Sequence, residues 1–378
     1  MRRLVHLILC AVVLAGCGAS PAPAPGGSPS TPPAAAPRLE AAVATDPVPT
    51  DPDDPAIWVH PTDPARSLVL GTHKVAAPDG AVVVYGLDGR IRQTISGIDR
   101  PNNVDVEYGF RLGGEDVDIA VATERLKHRL RVFRIDAATG QLADAGEIPV
   151  LAGQTGEAAE PMGIALYKRP SDGRVFAIVA PKTGATSNYL WQYALTDAGK
   201  GRVGGRLVRR FGTFSGIGPT PDEAGEIEAV AVDDELGYVY YADERFGIRK
   251  WHADPDHKDA ATELATFGLT GYTGDREGLA ILTAPGGGGY ILSSDQVEGG
   301  TFLRVYRRSG PPERPHDHGE PLFSVRTTAD ETDGVDATSR PLPGFPAGLV
   351  VMMNSGPRNF LFFRWDEIEA SGRGPGRR

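Results

Sequence analysis

The sequence is poor in cysteine and has no long apolar segment. Two cysteines occur among the 378 residues, Cys10 and Cys17, and both stand near the N-terminus. The remainder of the chain therefore has no disulfide, and a domain there must depend on its hydrophobic core. The apolar run at the start is shorter than the roughly 20 residues that a membrane-spanning helix needs. These absences exclude a disulfide framework and a permanent transmembrane helix.

The chain also lacks an excess of positive charge, with 39 Lys and Arg against 49 Asp and Glu and a formal net charge of −10. This balance disfavours nucleic acid and anionic membrane surfaces as partners. The P-loop, the His-Glu-x-x-His zinc helix and the Gly-x-Ser-x-Gly elbow are all missing from the sequence. An anionic small molecule is compatible with this composition only if cations mediate the contact.

The N-terminus has the pattern of an export signal. A cationic start precedes an apolar run through Val13, and Leu14-Ala15-Gly16-Cys17 follows. This motif resembles the bacterial lipobox, whose cysteine is lipidated, although an ordinary signal peptide cleaved nearby is the alternative. We expect residues 1–17 to be a lipoprotein signal with Cys17 as the anchor, and residues 18–38, rich in Ala, Pro, Gly and Ser, to be a disordered tether. The protein would then be membrane-anchored through this lipid alone, or else secreted or periplasmic.

The rest of the chain consists of short β-strand patterns separated by turns rich in Gly, Asp and Pro. Six segments share one strand pattern with an aromatic residue and recur about every 50 residues. They are residues 82–89, 130–137, 189–196, 246–253, 302–309 and 359–366. The repeats predict an all-β, six-bladed β-propeller over residues 39–370 rather than an irregular β-sandwich, with a flexible tail at 371–378. We expect the segment Leu39–Thr45 to pair with the last repeat and close the ring.

Acidic residues stand at the start of the innermost strand of every repeat. They are Asp53, Asp54, Asp105, Glu160, Glu226, Glu228, Asp275, Glu277, Asp333 and Asp336. In a propeller these strand starts surround one mouth of the central channel, so the carboxylates are expected to form a ring that repels itself. Calcium, with six to eight oxygen ligands, is the cation that relieves this repulsion. Turn capping is the alternative for each Asp, but Glu is not a turn residue.

Basic residues occur in the loops after the second strands of the first three repeats. Lys74, Arg125 and Lys182 stand there, whereas Glu244 and Gln296 stand in the fourth and fifth repeats. Calcium on one side and cationic side chains on the other form the arrangement that a phosphate ester needs. The alternative for each base is a solvated loop charge. His316-Asp317-His318 could bind a metal, but it stands in a Pro-rich loop between strands.

At these residues the sequence resembles the β-propeller phytases, over Thr45–Glu369. The matching segments are Asp53-Asp54-Pro55-Ala56-Ile57-Trp58, Asn102-Asn103-Val104-Asp105, Glu277-Gly278-Leu279 and Asp333-Gly334-Val335-Asp336. The resemblance implies a six-bladed, calcium-dependent phosphomonoester hydrolase that releases phosphate from phytate, myo-inositol hexakisphosphate, bound as its calcium complex with several Ca²⁺ ions. It also implies two neighbouring phosphate subsites, one for cleavage and one for affinity.

The resemblance assigns roles to the matching residues. Glu228, Glu244, Glu277 and Asp333 would be catalytic, and Lys74, Arg125 and Lys182 would hold substrate phosphates. Together with the ring of acids, the predicted metal ligands are Asp53, Asp54, Asp105, Glu160, Glu228, Glu244, Asp275, Glu277, Gln296, Asp333 and Asp336. The chain departs from the family at Met162 and Thr183, where the family has Tyr and Glu.

Two other functions remain open at this point. A calcium-holding propeller lactonase or esterase would need a histidine base, for which His60 and His73 are the candidates. A non-catalytic propeller that binds a partner at a surface is the second, but it gives no reason for carboxylates in all six repeats. The expected partner is a small phosphorylated substrate, and the expected state is a monomer.

Overall fold

The structure, a computed structural model, describes residues 38–220 and 223–374. The predicted signal with its lipid-anchor Cys17, and all of the predicted tether except Arg38, lie outside the described residues. Within the described ranges the chain forms six four-stranded antiparallel sheets and a single α-helix.

Five of the sheets are each built from four consecutive strands. A two-residue strand, Val43–Ala44 (β1), precedes them in the chain. Blade 1 contains Pro52–Trp58 (β2), Leu68–His73 (β3), Ala81–Gly86 (β4) and Ile91–Ser96 (β5). Blade 2 contains Pro101–Leu112 (β6), Glu115–Glu124 (β7), Arg129–Asp136 (β8) and Gln141–Pro149 (β9). Blade 3 contains Pro161–Lys168 (β10), Val175–Pro181 (β11), Ser187–Gly199 (β12) and Arg202–Thr213 (β13).

The second half of the domain repeats this pattern. Blade 4 contains Val230–Asp233 (β14), Tyr238–Asp243 (β15), Gly247–His252 (β16) and Ala265–Phe267 (β17). Blade 5 contains Leu279–Thr283 (β18), Gly289–Asp295 (β19), Phe302–Arg307 (β20) and Phe323–Arg326 (β21). Blade 6 contains Val335–Thr338 (β22), Leu349–Asn354 (β23) and Asn359–Arg364 (β24), with β1 as its outer strand.

The sixth blade joins the two ends of the domain. β1 pairs antiparallel with β24, and Val43 lies opposite Phe362. The pairing is shorter than the predicted segment Leu39–Thr45, because Leu39 forms a bridge with Thr327, next to blade 5. The last blade is thus completed by backbone from the start of the domain.

The six innermost strands surround a central channel. β2, β6, β10, β14, β18 and β22 contact one another in this order, and β22 contacts β2 again. The closed ring confirms the predicted six-bladed β-propeller. The third strands β4, β8, β12, β16, β20 and β24 each overlap one of the six segments that the repeat predicted.

The hydrophobic core lies between the blades. Trp58 of blade 1 and Phe133 of blade 2 belong to one buried cluster, and Tyr85 of blade 1 packs against Phe360 of blade 6 with ring centroids 5.8 Å apart. A strand covered on both faces must be apolar on both, which explains the run Ala81–Gly86, where all six residues are buried. The blades therefore depend on one another for their cores.

The α-helix spans Trp365–Arg373 (α1) and was not predicted. Trp365 packs against Tyr290 of blade 5, with ring centroids 5.0 Å apart, and Ile368 is buried. Regular structure therefore continues beyond residue 370, where the sequence analysis placed the start of a tail. Single 3₁₀ turns occur at Pro64–Arg66, Arg125–Lys127, Gly156–Ala159 and Pro285–Gly287. Among the described residues, no helix has both the length and the hydropathy that crossing a membrane requires.

Candidate active site at the acidic mouth

β-Bulges lie at the start of the inner strands of the first three blades. In β2 the register against β3 shifts between Pro52 and Pro55. A bulge inserts an extra residue and interrupts the strict alternation of side chains along a strand. Asp53 and Asp54 therefore both lie at the channel although they are adjacent in the sequence. Asp53 contacts Lys74 at the mouth, and Asp54 lines the channel below.

Hydroxyl groups of the second strands hold these distorted starts. Thr72 accepts a hydrogen bond from the Asp54 backbone N–H at 3.0 Å. Thr123 does the same for the Asn103 N–H at 3.0 Å. Each hydroxyl accepts a hydrogen bond from a backbone N–H that the irregular strand pairing would otherwise leave buried without a partner.

A cavity of about 620 Å³ opens at this end of the channel. Its described lining contains eight carboxylates and two lysines, so the fully ionised lining would carry a charge of 2 − 8 = −6. The carboxylates are Glu157, Glu223, Glu226, Glu228, Glu244, Asp275, Glu277 and Asp333, and the lysines are Lys74 and Lys182. The four residues predicted to be catalytic, Glu228, Glu244, Glu277 and Asp333, all lie in this lining.

Three of these carboxylates converge closely. Glu244, Asp275 and Glu277 each place one oxygen so that the three oxygens lie within 4.8 Å of one another. Burial, and then the neighbouring carboxylates, raise the pKa values of Glu244 and Glu277 well above the usual range. Asp275 Oδ1 is buried and has no hydrogen-bond partner among the described residues, while Arg245 holds Asp275 Oδ2 at 2.8 Å. Such a set of oxygens fits a hard divalent cation.

Lys74 stands between two carboxylates on the other side of the cavity. Its Nζ lies 2.5 Å from Asp53 and 3.5 Å from Asp333. Burial acts to lower the Lys74 pKa, but Asp53, Glu228 and Asp333 outweigh it and hold the pKa above its usual value. Burial raises the pKa of Asp333 to about 6 against the attraction of Lys74. Gln296, which was predicted as a metal ligand, donates to Asp333 at 2.6 Å.

Lys182 has acidic partners that the prediction did not assign. Its Nζ lies 3.3 Å from Glu226 and 3.8 Å from Glu157. Burial and Glu228 raise the pKa of Glu226, and Lys182 opposes them. Glu226 precedes Glu228 by two residues, the spacing that places side chains on one side of an extended chain. Glu226 was predicted among the acids at the strand starts, but neither as a metal ligand nor as the partner of Lys182.

Arg125 and Glu160 do not belong to the cavity lining, and they pair with each other. Arg125 reaches Glu160 at 2.8 Å through Nη2 and at 3.2 Å through Nε, and it donates to Asn102 at 3.1 Å. The Lys182 backbone N–H donates to the Glu160 carbonyl at 2.9 Å, so the pair stands next to the cavity wall. A residue predicted to hold phosphate and one predicted to hold metal thus neutralise each other.

The carboxylates form two levels rather than the single predicted ring. Asp54, Asp105 and Asp336 line a narrower space of about 110 Å³, which Glu277 shares with the mouth. Each of the three accepts a backbone N–H of the next blade: Asp54 from Val104 at 3.0 Å, Asp105 from Leu166 at 2.6 Å and Asp336 from Ile57 at 2.7 Å. The lower carboxylates therefore tie neighbouring inner strands together, whatever else they bind.

Burial also raises the pKa values of the carboxylates of the lower level. Burial raises the pKa of Asp105 to about 8 and that of Asp336 to about 6. Asp234 follows the end of β14 and does not line this space; burial raises its pKa to about 7, and it accepts the Lys168 N–H at 2.9 Å. Of the two departures from the family, Met162 is fully buried and Thr183 lines the cavity.

The comparisons with known proteins agree with this arrangement. The family model for phytase matches residues 28–368. A 3-phytase from Bacillus subtilis (strain 168) is 33% identical over 353 residues, which cover 88% of this chain and 84% of that protein. Among solved structures, a candidate 6-phosphogluconolactonase from Bacteroides fragilis NCTC 9343 has a TM-score of 0.51 over 84% of this chain and 81% of its own, and at 13% identity the likeness concerns the fold alone. The chain therefore belongs to the phytase family and is a phytase-type hydrolase.

Proposed function

We propose that the protein releases inorganic phosphate from phytate in a calcium-dependent reaction at the acidic mouth. The observation that carries the proposal is the cavity lining, with eight carboxylates around two lysines. A substrate that bears several phosphates would be repelled by this surface unless cations neutralised it. The two lysines, in turn, give a reason for an anionic substrate to enter.

The donor set supports calcium as the cation. The residues that would hold it are Glu228, Glu244, Asp275, Glu277 and Asp333, with Asp53 and Gln296 behind them. All of these donors are oxygens, and several carboxylates around a wide cavity suit the six to eight ligands of Ca²⁺. When bound, calcium would supply charge neutralisation for the phosphate oxygens and lower the pKa of water.

The chain's own cationic groups would orient the substrate. Lys74 is protonated and held by Asp53, so it presents a fixed charge to one phosphate. The Lys182–Glu226 contact is 3.3 Å long and partly exposed, so a phosphate can replace Glu226 as the partner. A phosphate that binds Arg125 would first have to displace Glu160. Of the three predicted phosphate contacts, the one with Arg125 therefore depends on breaking an existing ion pair.

The lining favours direct attack by water over the lactonase alternative. Among the described lining residues there is no serine, cysteine or histidine. His73 binds Thr50 at 2.8 Å and the Asp79 carbonyl at 3.1 Å, and His60 binds the Ala137 carbonyl at 2.9 Å. Both candidate bases are therefore committed to structural hydrogen bonds.

An add-back assay tests the proposal. The purified chain is stripped of metal, supplied with phytate, and assayed for released phosphate before and after addition of Ca²⁺, with Mg²⁺ as the matched control. We expect turnover only with Ca²⁺, because the wide cavity does not offer the tight octahedral cage that Mg²⁺ demands. Full phosphate release in the presence of a chelator would contradict calcium dependence, and lactone hydrolysis without phosphate release would contradict the reaction itself.

We also propose that the chain is exported and anchored through Cys17. The support is the cationic start, the short apolar run and Leu14-Ala15-Gly16-Cys17. Cys17→Ser should move the activity from the membrane fraction to the soluble fraction or block processing. A wild-type protein that is already soluble and starts at another residue would refute the anchor.

A further inference from the structure

A second group of metal-ligating side chains lies on blade 4, away from the acidic mouth. β15 and β16 pair so that Asp243, next to the mouth, faces Gly247, while Tyr238 at the other end faces His252. His252, His257 and Asp259 each place one ligand atom so that the three atoms lie within 4.8 Å of one another. This group is therefore at the opposite end of the strands from the carboxylate cavity and differs from it in having imidazole donors.

The loop that carries two of these residues is held in place on its other side. Arg169 of blade 3 binds Asp254 at 2.8 Å and Asp256 at 2.7 Å. Turns close the loop, with the His257 N–H donating to the Asp254 carbonyl at 3.2 Å. His257 consequently stacks on His252 with ring centroids 3.6 Å apart and 22° between the planes. The three ligand atoms are therefore close together, but each imidazole lone pair lies in its ring plane, so the stacked rings must rotate apart before both can bind one ion.

The chemistry of the group supports a metal as the ligand. His252 is half-buried beside His257, and an imidazole in its neutral form offers a ring-nitrogen lone pair to a metal. His318 nearby does not take part, because it accepts from Lys250 at 3.3 Å and donates to the Arg307 carbonyl at 2.8 Å. Two stacked imidazoles beside an exposed carboxylate have no evident role in the core.

We propose that His252, His257 and Asp259 bind a transition-metal ion, with Zn²⁺ as the preferred species. Two imidazoles and a carboxylate are typical zinc ligands, whereas Ca²⁺ prefers oxygen alone. Tetrahedral Zn²⁺ holds its ligand atoms about 3.4 Å apart, which the exposed Asp259 side chain reaches by rotation. The fourth position is left to water. The ion joins the end of β16 to the following loop and stabilises blade 4 without touching the reaction.

Binding of the metal ion would break one hydrogen bond in the loop. The His257 Nδ1 accepts the Asp259 backbone N–H at 3.1 Å. Coordination through Nε2 moves the ring proton to Nδ1, and coordination through Nδ1 replaces the contact directly, so this hydrogen bond is lost in either case. It lies in an exposed turn where water can replace it.

The test is a zinc titration of the untagged chain. Its cysteines are alkylated, Ca²⁺ is kept saturating so that the acidic mouth is occupied, and Zn²⁺ binding is measured by competition with a chromophoric chelator. We expect one strong Zn²⁺ site per chain and a rise in melting temperature when it fills. His257→Ala and Asp259→Asn should each weaken binding at least about 10-fold. The matched control is His128→Asn, at an exposed histidine with φ of 53°, and it should bind like wild type.

The outcomes separate the proposal from a folding defect. Both His257 and Asp259 stand in a surface loop, so the zinc-free variants should melt like wild type. Loss of zinc binding without loss of zinc-free stability supports the site. Wild-type zinc binding in His257→Ala, or no strong zinc site in the wild type, overturns it. Because Ca²⁺ and phytate turnover are assayed separately, failure here leaves the proposed hydrolysis unaffected.

Discussion

At the acidic mouth, the charge state of each side chain depends on its neighbours. Lys74 keeps its proton because Asp53, Glu228 and Asp333 surround it. Glu277 and Glu244 hold their protons more strongly than usual because they are buried among other carboxylates. The same residues become good metal ligands once a cation is supplied, since removal of the protons is then compensated.

Glu228 and Lys182 separate metal holding from phosphate holding. Glu228→Gln keeps the shape of the lining and removes one charge, so we expect kcat to fall by about 10²- to 10⁴-fold. Lys182→Ala removes a charge-assisted contact to phosphate, worth about 1.5–3 kcal/mol or about 10- to 150-fold in kcat/KM, partly through KM. Steady-state kinetics on phytate at saturating Ca²⁺ distinguish the two. Near-wild-type kinetics in Glu228→Gln would refute the proposed site.

The lower carboxylates predict an unusual pH dependence of stability. The pKa of Asp336 is raised to about 6 and that of Asp105 to about 8, so the folded state binds their protons more tightly than the unfolded chain does. Their stabilising contribution is complete below the unfolded pKa of about 4 and is lost as the pH rises through the folded values. The metal-free protein should therefore lose stability between about pH 4 and about pH 8.

Calcium should oppose this loss, because its carboxylate ligands must be deprotonated. The difference in melting temperature between Ca²⁺ and chelator should thus grow across the same pH range. Asp105→Asn is the control, since its amide oxygen can still accept the Leu166 N–H while the titration disappears. A metal-free melting temperature that stays constant or rises with pH would contradict the assignment.

At the level of single elements, the inner strands owe their geometry to bulges and to glycines placed next to the acids. A Cβ on Gly334 would lie 2.5 Å from Asp54 Oδ1 and 2.6 Å from the Asp54 Cα. A Cβ on Gly163 would lie 2.1 Å from the Glu228 carbonyl oxygen. These glycines allow neighbouring strands to approach around a narrow axis.

Gly334→Ala should therefore displace Asp54 and strain the start of β22. We expect a loss of about 1–3 kcal/mol in the free energy of unfolding, as overpacking of a filled interior costs. Urea denaturation measures the loss. Gly288→Ala is the matched control, because Gly288 is exposed, has φ of −73° and would meet nothing closer than 3.8 Å. Equal stability of the two variants would refute the packing argument.

Across the whole molecule, stability depends on closing the ring. The Thr45 hydroxyl accepts the Phe360 N–H at 3.0 Å, and the Asn359 side chain donates to the Thr45 carbonyl at 3.2 Å. Elsewhere Arg308 of blade 5 binds Asp233 of blade 4, and both side chains are fully buried. Each blade is thus held by its neighbours, and blade 6 is completed by β1, the strand that precedes blade 1 in the chain.

Thr45→Val tests the closure. The change is nearly isosteric and leaves the buried Phe360 N–H without its acceptor, so we expect a loss of about 1–3 kcal/mol in a single unfolding transition. Denaturant unfolding with fluorescence and circular dichroism measures it. Thr139→Val, in an exposed turn of blade 2, should change stability little. A similar loss in the free energy of unfolding of both variants would contradict the claim that closing the ring stabilises the molecule.

The sequence by itself determined the propeller and the position of acids at the start of the inner strand in each repeat. The aromatic third strands and the turns between them follow local rules of alternation and backbone conformation. They could therefore be predicted without knowledge of the tertiary contacts. The motif around Asp53 and Asp54 placed carboxylates at the inner strand starts for the same reason. The helix α1 was missed because its short apolar face becomes evident only when Trp365 and Ile368 have blade 5 to pack against.

Only the tertiary structure decided which charged residues pair with each other and which line the two levels of the channel. The bulge in β2 sends Asp53 to the mouth and Asp54 to the lower level, and such register shifts depend on pairing with β3. The pairing of Arg125 with Glu160, the contact of Lys182 with Glu226 and the meeting of His252 with His257 depend on neighbouring blades or on loop closure. Residue types and spacing specify which chemistry is present, but the partner of each charge is set by packing between distant segments.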